Sequence, residues 1–133
     1  FKGEKATIFT TGNLVDDPEV AMLRNGGRDG LSDDPEFVRT GSNSGHQAVN
    51  IAVLAGAKRI VLLGYDARTE SKGRTHFFGD HPDKTTAPYE TMIREFNGIA
   101  GRLREIGVEV LNATPNSALT CFKTASLEEA LTC

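Results

Sequence analysis

The side chains best suited to chemistry fall in two clusters. The first is Gly41-Ser42-Asn43-Ser44-Gly45, a run of small residues that leads directly into an apolar stretch. Small side chains let a ligand approach the backbone. A helix that begins there also offers N–H groups and the positive end of its dipole to a phosphate or carboxylate. One residue among Ser42, Asn43 and Ser44 is enough for an N-cap, so the others are available to hydrogen-bond an anion. The second cluster starts at Asp66, in Gly64-Tyr65-Asp66 at the end of an apolar run, and continues with His76, Asp80 and His81 in GRTHFFGDHP. A loop histidine near a carboxylate can serve as a general base, because its pKa lies close to neutrality. Asn112 follows a later apolar run and can add amide hydrogen bonds at the same sheet edge, and Asn116 or Ser117 suits the cap of a short turn. His46, early in the expected helix, is expected on the helix surface, with the anion site as the alternative. Gly73-Arg74 offers a loop cation for a leaving diphosphate.

Several other chemistries are disfavoured. Neither GxGxxG nor GxxxxGK[ST] is present, so the chain has neither a dinucleotide fingerprint nor a Walker A loop. Asp66, His76, Asp80 and His81 lack a diagnostic metal spacing, and no metal site is expected from them. Cys121 and Cys133 form no CxxC or Cys/His pattern and read as two reduced thiols. The net charge of −3, from 15 basic and 18 acidic residues, has no basic concentration of the kind that tracks nucleic acid. No apolar run approaches the roughly 18 residues of a membrane helix. These features lead us to expect a soluble protein of a reducing, cytoplasmic compartment, with no membrane partner.

The elements that position these residues are legible from periodicity. Residues 5–11 (KATIFTT) are rich in β-branched side chains and read as a strand, and residues 19–23 as a short second one. Residues 25–39 hold glycines and a proline without periodicity and read as a long exposed loop. From Ser44 an apolar helix runs to a stop at Gly56 and is expected to pack on a sheet. Residues 59–63 (RIVLL) form a continuous apolar run, the pattern of a strand covered on both faces. A second long loop, residues 66–88, precedes an amphipathic helix over 89–106 closed by Gly107. Residues 108–111 are the next buried strand, and Ser126 caps a short final helix with Glu128 and Glu129 in its first turn.

Strand, loop, helix and strand in this alternation predict parallel pairing through right-handed crossovers. The expected fold is one α/β domain over residues 1–133, a Rossmann-like three-layer sandwich with a mainly parallel sheet. In such sheets ligands sit beyond the carboxyl ends of the strands, so the run at 41–45 and Asp66 are expected to converge on one pocket. A chain opening on Phe1 with strand-like sequence almost at once also predicts a truncated product, the C-terminal part of a larger domain.

GSNSGHQAVNIAVLAGAKRIVLLGYD, GRTHFFGDHP and NATPNSAL together resemble a family of tailed-phage and prophage proteins, over nearly the whole chain. That family is similar in fold to the bacterial CMP-sialic acid sialyltransferases and to the domain of hydroxymethylpterin diphosphokinases. Ser44-Gly45 and Gly64-Tyr65-Asp66 match recurring features of the wider group. The resemblance implies a glycosyltransferase-like enzyme in the bacterial host cytoplasm. Ser44 and Gly45 would receive the charged end of a nucleotide or nucleotide-sugar donor there, alongside Gly41, Ser42, Asn43 and Asn112, read above from residue type and position as part of the same binding site. His81, or else His76, would be the general base, and Asp66 would orient either substrate, the donor or a small-molecule or glycan acceptor. A diphosphokinase-like reading adds a divalent metal such as Mg near Asp66, and a non-catalytic nucleotide-binding or assembly protein, including a homo-oligomer, is the third. The wider group's Gly-Pro-Ser turn is absent before residue 41.

Overall fold

The protein is seen here as a computed structural model that describes residues 5–9, 17–68 and 89–132. The chain divides into two compact units, Phe1–Ala57 and Lys58–Cys133. Each combines helix with a three-stranded sheet in which every strand pair is parallel.

In the first unit β1 (Lys5–Phe9) pairs with β2 (Val20–Asn25), which pairs with β3 (Phe37–Val38). An exposed Lys5–Glu19 ion pair of 2.9 Å flanks the start of the first ladder. The expected strands at 5–11 and 19–23 are both present within the described residues; Thr10 and Thr11 lie outside them. The region 25–39 is not uniformly an exposed loop. Phe37 and Val38 pair with Arg24 and Asn25, and Val38 is 0% exposed. Parallel neighbours need a crossover, commonly a helix, yet residues 26–36 contain none, and this one is held instead by side chains described below. The helix α1 (Ser44–Leu54) starts where expected, and Gly56 follows it at φ +83° as the stop. It turns His46, Val49 and Asn50 inward, and Ala48 is exposed.

The second unit runs β4 (Arg59–Leu62), α2 (Tyr89–Glu105), β5 (Glu109–Asn112), β6 (Lys123–Thr124) and α3 (Leu127–Leu131), with sheet order β4-β5-β6. The three- and four-residue spacing in α2 buries Phe96, Ile99, Ala100 and Leu103. Phe96 makes edge-to-face contacts with Tyr65 and Phe122, at centroid separations of 5.8 and 6.0 Å, a geometry that adds to simple burial. The apolar run at 59–63 is less covered than expected. Only Leu62 in β4 is buried, and Leu63, just past the strand, is 54% exposed. Arg59 and Glu109 face each other across the β4–β5 ladder, joined at 2.6 Å, and Arg59 also donates to the Thr132 carbonyl after α3.

Ser126 caps α3 as expected, in a complete capping box. Its hydroxyl accepts from the Glu129 N–H at 3.1 Å, and its own N–H donates to the Glu129 carboxylate at 2.8 Å. The Ser126 backbone N–H, and after it the Ser126 hydroxyl, hold the Glu129 carboxyl below its ordinary pKa. A lowered folded-state pKa contributes stability above the unfolded value that is lost as pH falls through the folded one. We therefore expect α3 to fray on acidification in that window. Residue-resolved NMR should show the acid transition at Ala130 and Leu131, and Glu129→Gln should remove it.

Candidate functional site

The run 40–46 folds into a tight turn that feeds α1. The Thr40 carbonyl accepts from the Asn43 N–H at 3.0 Å, and the two residues between, Gly41 and Ser42, have φ +51° and +58°. Two consecutive positive φ values are the mark of a type I′ turn, which favours glycine or asparagine; serine there carries strain. Thr40 and Gly41 donate to the carbonyls of Gly27 and Arg28, tying the turn to the β2–β3 crossover.

After these left-handed residues the chain must return to extended backbone before helix can start. Asn43 supplies that step, at φ −156° and ψ 152°, and is therefore the N-cap. Its Oδ1 accepts from the His46 N–H at 2.7 Å, and its Nδ2 donates to the Gly41 carbonyl at 2.7 Å. Capping is thus done by Asn43 alone among the three candidates.

His46 is not on the helix surface, as was expected, but 0% exposed. Its Nδ1 lies 3.3 Å from the Arg39 carbonyl. The reason is Gly41: a Cβ there would stand 2.1 Å from His46 Cγ, so only a missing side chain leaves room for the ring. One turn further along, Asn50 is also 0% exposed. Its Oδ1 accepts from the N–H groups of Ser32 (3.1 Å) and Arg39 (2.8 Å), and its Nδ2 donates to the Ser32 carbonyl (3.2 Å). Asn50 is therefore the side chain that takes the place of a crossover helix in pinning residues 26–39. The Arg39 guanidinium donates to the Gly26 carbonyl in the same loop.

Beside the turn lies a pocket of about 550 Å³, contained within the first unit. Ser42 and Ser44 are on its wall, joined by the hydroxyl residues Thr7 and Thr40 and the amide residues Asn25 and Gln47. Ala6 and Ile8 of β1 and Ala48 and Ile51 of α1 supply its apolar part. Ser44, Gln47, Ala48 and Ile51 are spaced i, i+3, i+4, i+7, a single face of α1. The described residues that line the pocket are all uncharged. Ser44, the first residue of α1, brings the positive end of the helix dipole to this wall. Of the expected binding residues in this run, Gly41, Asn43 and Gly45 do not line the pocket; Gly41 and Asn43 build the turn that presents Ser42 and Ser44.

The remaining expected site residues belong to the second unit. β4 ends, Gly64 turns at φ +74°, and Asp66 follows, exposed. This segment is stitched to the loop after β5. Tyr65 N–H donates to Thr114 Oγ1 (3.0 Å), Ser117 Oγ to the Tyr65 carbonyl (2.5 Å), and Ala118 N–H to the Asp66 carbonyl (2.8 Å). Ser117 Oγ also accepts from the Leu119 N–H, the turn-capping role expected of it. Asn112 is 1% exposed, and its amide is engaged at both ends inside that loop, accepting from the Thr114 N–H and donating to the Leu119 carbonyl. Asp66 and Asn112 thus share the carboxyl edge of β4 and β5, and Ser42 and Ser44 share the α1 pocket. His76, Asp80, His81 and the Gly73-Arg74 pair lie outside the described residues. Among the described residues no cluster of three or more His, Cys, Asp or Glu could hold a metal ion, and no helix is long and apolar enough to cross a membrane.

Asn25, Thr7, Thr40 and Gln47 were missed in the sequence. Gln47 had a usable signal, its position three residues after Ser44 on one helix face; Asn25 ends a strand expected to stop at Leu23. Thr7 and Thr40 reach the pocket through pairings that no local pattern records. No family model matches the chain, nor does a curated protein or a solved structure.

Proposed function

We propose that the α1 pocket receives the charged end of a nucleotide-type small molecule, and that the chain is a glycosyltransferase-like protein acting on a nucleotide-activated donor. One observation carries the binding half of this reading. Asn43 caps α1, so Ser42 and Ser44, on the pocket wall beside the helix start, are both surplus to capping. Ser42 in addition holds a left-handed backbone at φ +58°, a cost that ligand contact would explain.

The catalytic half rests on the resemblance, and with it the Rossmann-like sandwich and the phage family. In it the acceptor hydroxyl gives its proton to His81, or else His76, as its oxygen bonds to the transferred carbon and the donor phosphate leaves with the bonding pair. Asp66 orients the acceptor. A second reading, a nucleotide binder without turnover, is favoured by the uncharged lining, because among the described residues no cation lines the pocket to neutralise a leaving phosphate.

Isothermal titration with nucleoside mono- and diphosphates and nucleotide sugars tests the binding half. Saturable binding is expected, and Ser44→Leu should abolish it by removing the hydroxyl and putting a bulky apolar side chain at the helix start; absence of binding to every member of the panel refutes it. Ser42→Gly separates fold from contact. Glycine accepts the positive φ, so stability should stay within about 1 kcal/mol of the parent. Loss of a hydroxyl bond to a charged group should weaken affinity by roughly tenfold or more. Release of the nucleotide product on mixing donor and acceptor distinguishes the transferase from the binder.

A further inference from the structure

A second cavity, of about 280 Å³, opens in the Lys58–Cys133 unit, and none of the candidate site residues named above lines it. Its origin is topological. β6 pairs only with Leu111 and Asn112, so among the described residues the first half of β5, Glu109-Val110, has no strand on that side. The apolar wall is made by Leu103, Val110 and Phe122, all at least nine-tenths buried. Arg104, one residue after Leu103, and Lys123, the first residue of β6, bring two cations to the same lining. The one acid there, Glu109, is already paired with Arg59 at 2.6 Å. Among the described residues neither Arg104 nor Lys123 forms an ion pair; Lys123 acts on the Glu129 carboxyl only at longer range, and the lining residues themselves carry an excess of positive charge around a hydrocarbon floor.

We propose that this cavity is a binding site for a small apolar carboxylic acid, its hydrocarbon part on Leu103, Val110 and Phe122 and its carboxylate on Arg104 and Lys123. The volume sits just below the roughly 300 Å³ at which drug-sized sites begin, which suits a ring or branched chain bearing one acid group. The guanidinium supplies bidentate geometry for the carboxylate, and the cost of bringing that charge to an apolar wall is met by two cations. Free Cys121 also lines the cavity, half-buried. Burial pushes its thiol above the ordinary cysteine pKa, against the opposing effects of its own backbone N–H and of Arg104. It is a slow nucleophile at neutral pH and hence a reporter of occupancy, not a reacting group.

The test uses the full chain with Cys133→Ser, so that Cys121 is the sole thiol, and follows its alkylation by iodoacetamide. Benzoate is expected to slow alkylation by about tenfold when present at ten times its Kd, as mass action requires. Benzamide, of the same shape without charge, should protect far less. Arg104→Gln with Lys123→Gln, both on exposed side chains, should leave the circular dichroism unchanged and remove the benzoate effect. No slowing at the highest soluble benzoate, equal protection by benzamide, or protection that survives the double substitution would each overturn the assignment. Nucleotide titration of the α1 pocket is a separate measurement, so either site can fail without the other.

Discussion

Gly41→Ala is expected to destabilise the first unit by about 3 kcal/mol, the sum of left-handed strain and core overpacking. The added Cβ would lie 2.1, 2.4 and 2.5 Å from Cγ, Cδ2 and Cβ of His46, closer than any real contact. The ring has nowhere to go, because His46 is 0% exposed and belongs to the first turn of α1. Gly56 is the control. It also has a positive φ, +83°, but a Cβ there meets nothing within 4 Å. Gly56→Ala should therefore cost only the backbone strain, about 1 kcal/mol. Urea unfolding of the two variants isolates the steric share by difference. A Gly41→Ala, His46→Ala double variant should be less damaged than the sum of its parts, since the clash is shared. Equal costs at the two glycines would mean that His46 does not occupy the space beneath Gly41.

Asn50→Leu is the second large effect, again about 3 kcal/mol or more. Leucine has the same branched outline but is bulkier, and it leaves the N–H groups of Ser32 and Arg39 and the Ser32 carbonyl without their partner. Ser32 is 7% exposed, so water replaces those bonds poorly. The consequence is specific in place. Amide hydrogen exchange should accelerate at Ser32, Arg39 and the β2–β3 pairing before it does so in α2 or β5. Since Thr40 and Gly41 donate to Gly27 and Arg28 in the same loop, the turn that presents Ser42 and Ser44 should loosen with it. Uniform acceleration along the chain would show instead that the loop is not separately held by Asn50.

The parts of this fold that sequence reading recovered are those with a local cause. Gly56 and Gly107 mark helix ends because a positive φ there is cheap only for glycine, and both do adopt it. The spacing of Phe96, Ile99, Ala100 and Leu103 marks one face of α2, and that face is buried. The parallel pairing of β4 and β5 follows from the helix α2 between them, whereas β2–β3 and β5–β6 pair parallel with no helix between. The parts that escaped depend on partners distant in sequence. β3 and β6 are two residues each, shorter than any period, and exist because β2 and β5 offer them an edge. His46 reads as a surface residue of a helix start until Gly41 is seen to leave a ring-sized space. Asn50 sits within an apolar helix, and only the loop it bonds explains it.

The candidate site divides in the same way. The surplus of Ser42, Asn43 and Ser44 over one cap was legible, yet which of them caps was decided by two left-handed residues upstream that place the extended step at Asn43. Asn112 was legible as a strand-end amide at a sheet edge. Its burial and its bonds to the Thr114 N–H and the Leu119 carbonyl depend on how the following loop folds back.

The ligand of the α1 pocket decides the function. The direct measurement is a titration of the isotope-labelled chain with the nucleotide and nucleotide-sugar panel, read as amide chemical shifts. Saturable shifts should be largest at Ser42, Ser44 and Gly45, extend along the Gln47 and Ala48 face, and vanish in Ser44→Leu. Shifts centred elsewhere, or none with any member of the panel, would contradict the assignment of this pocket to a nucleotide-type ligand.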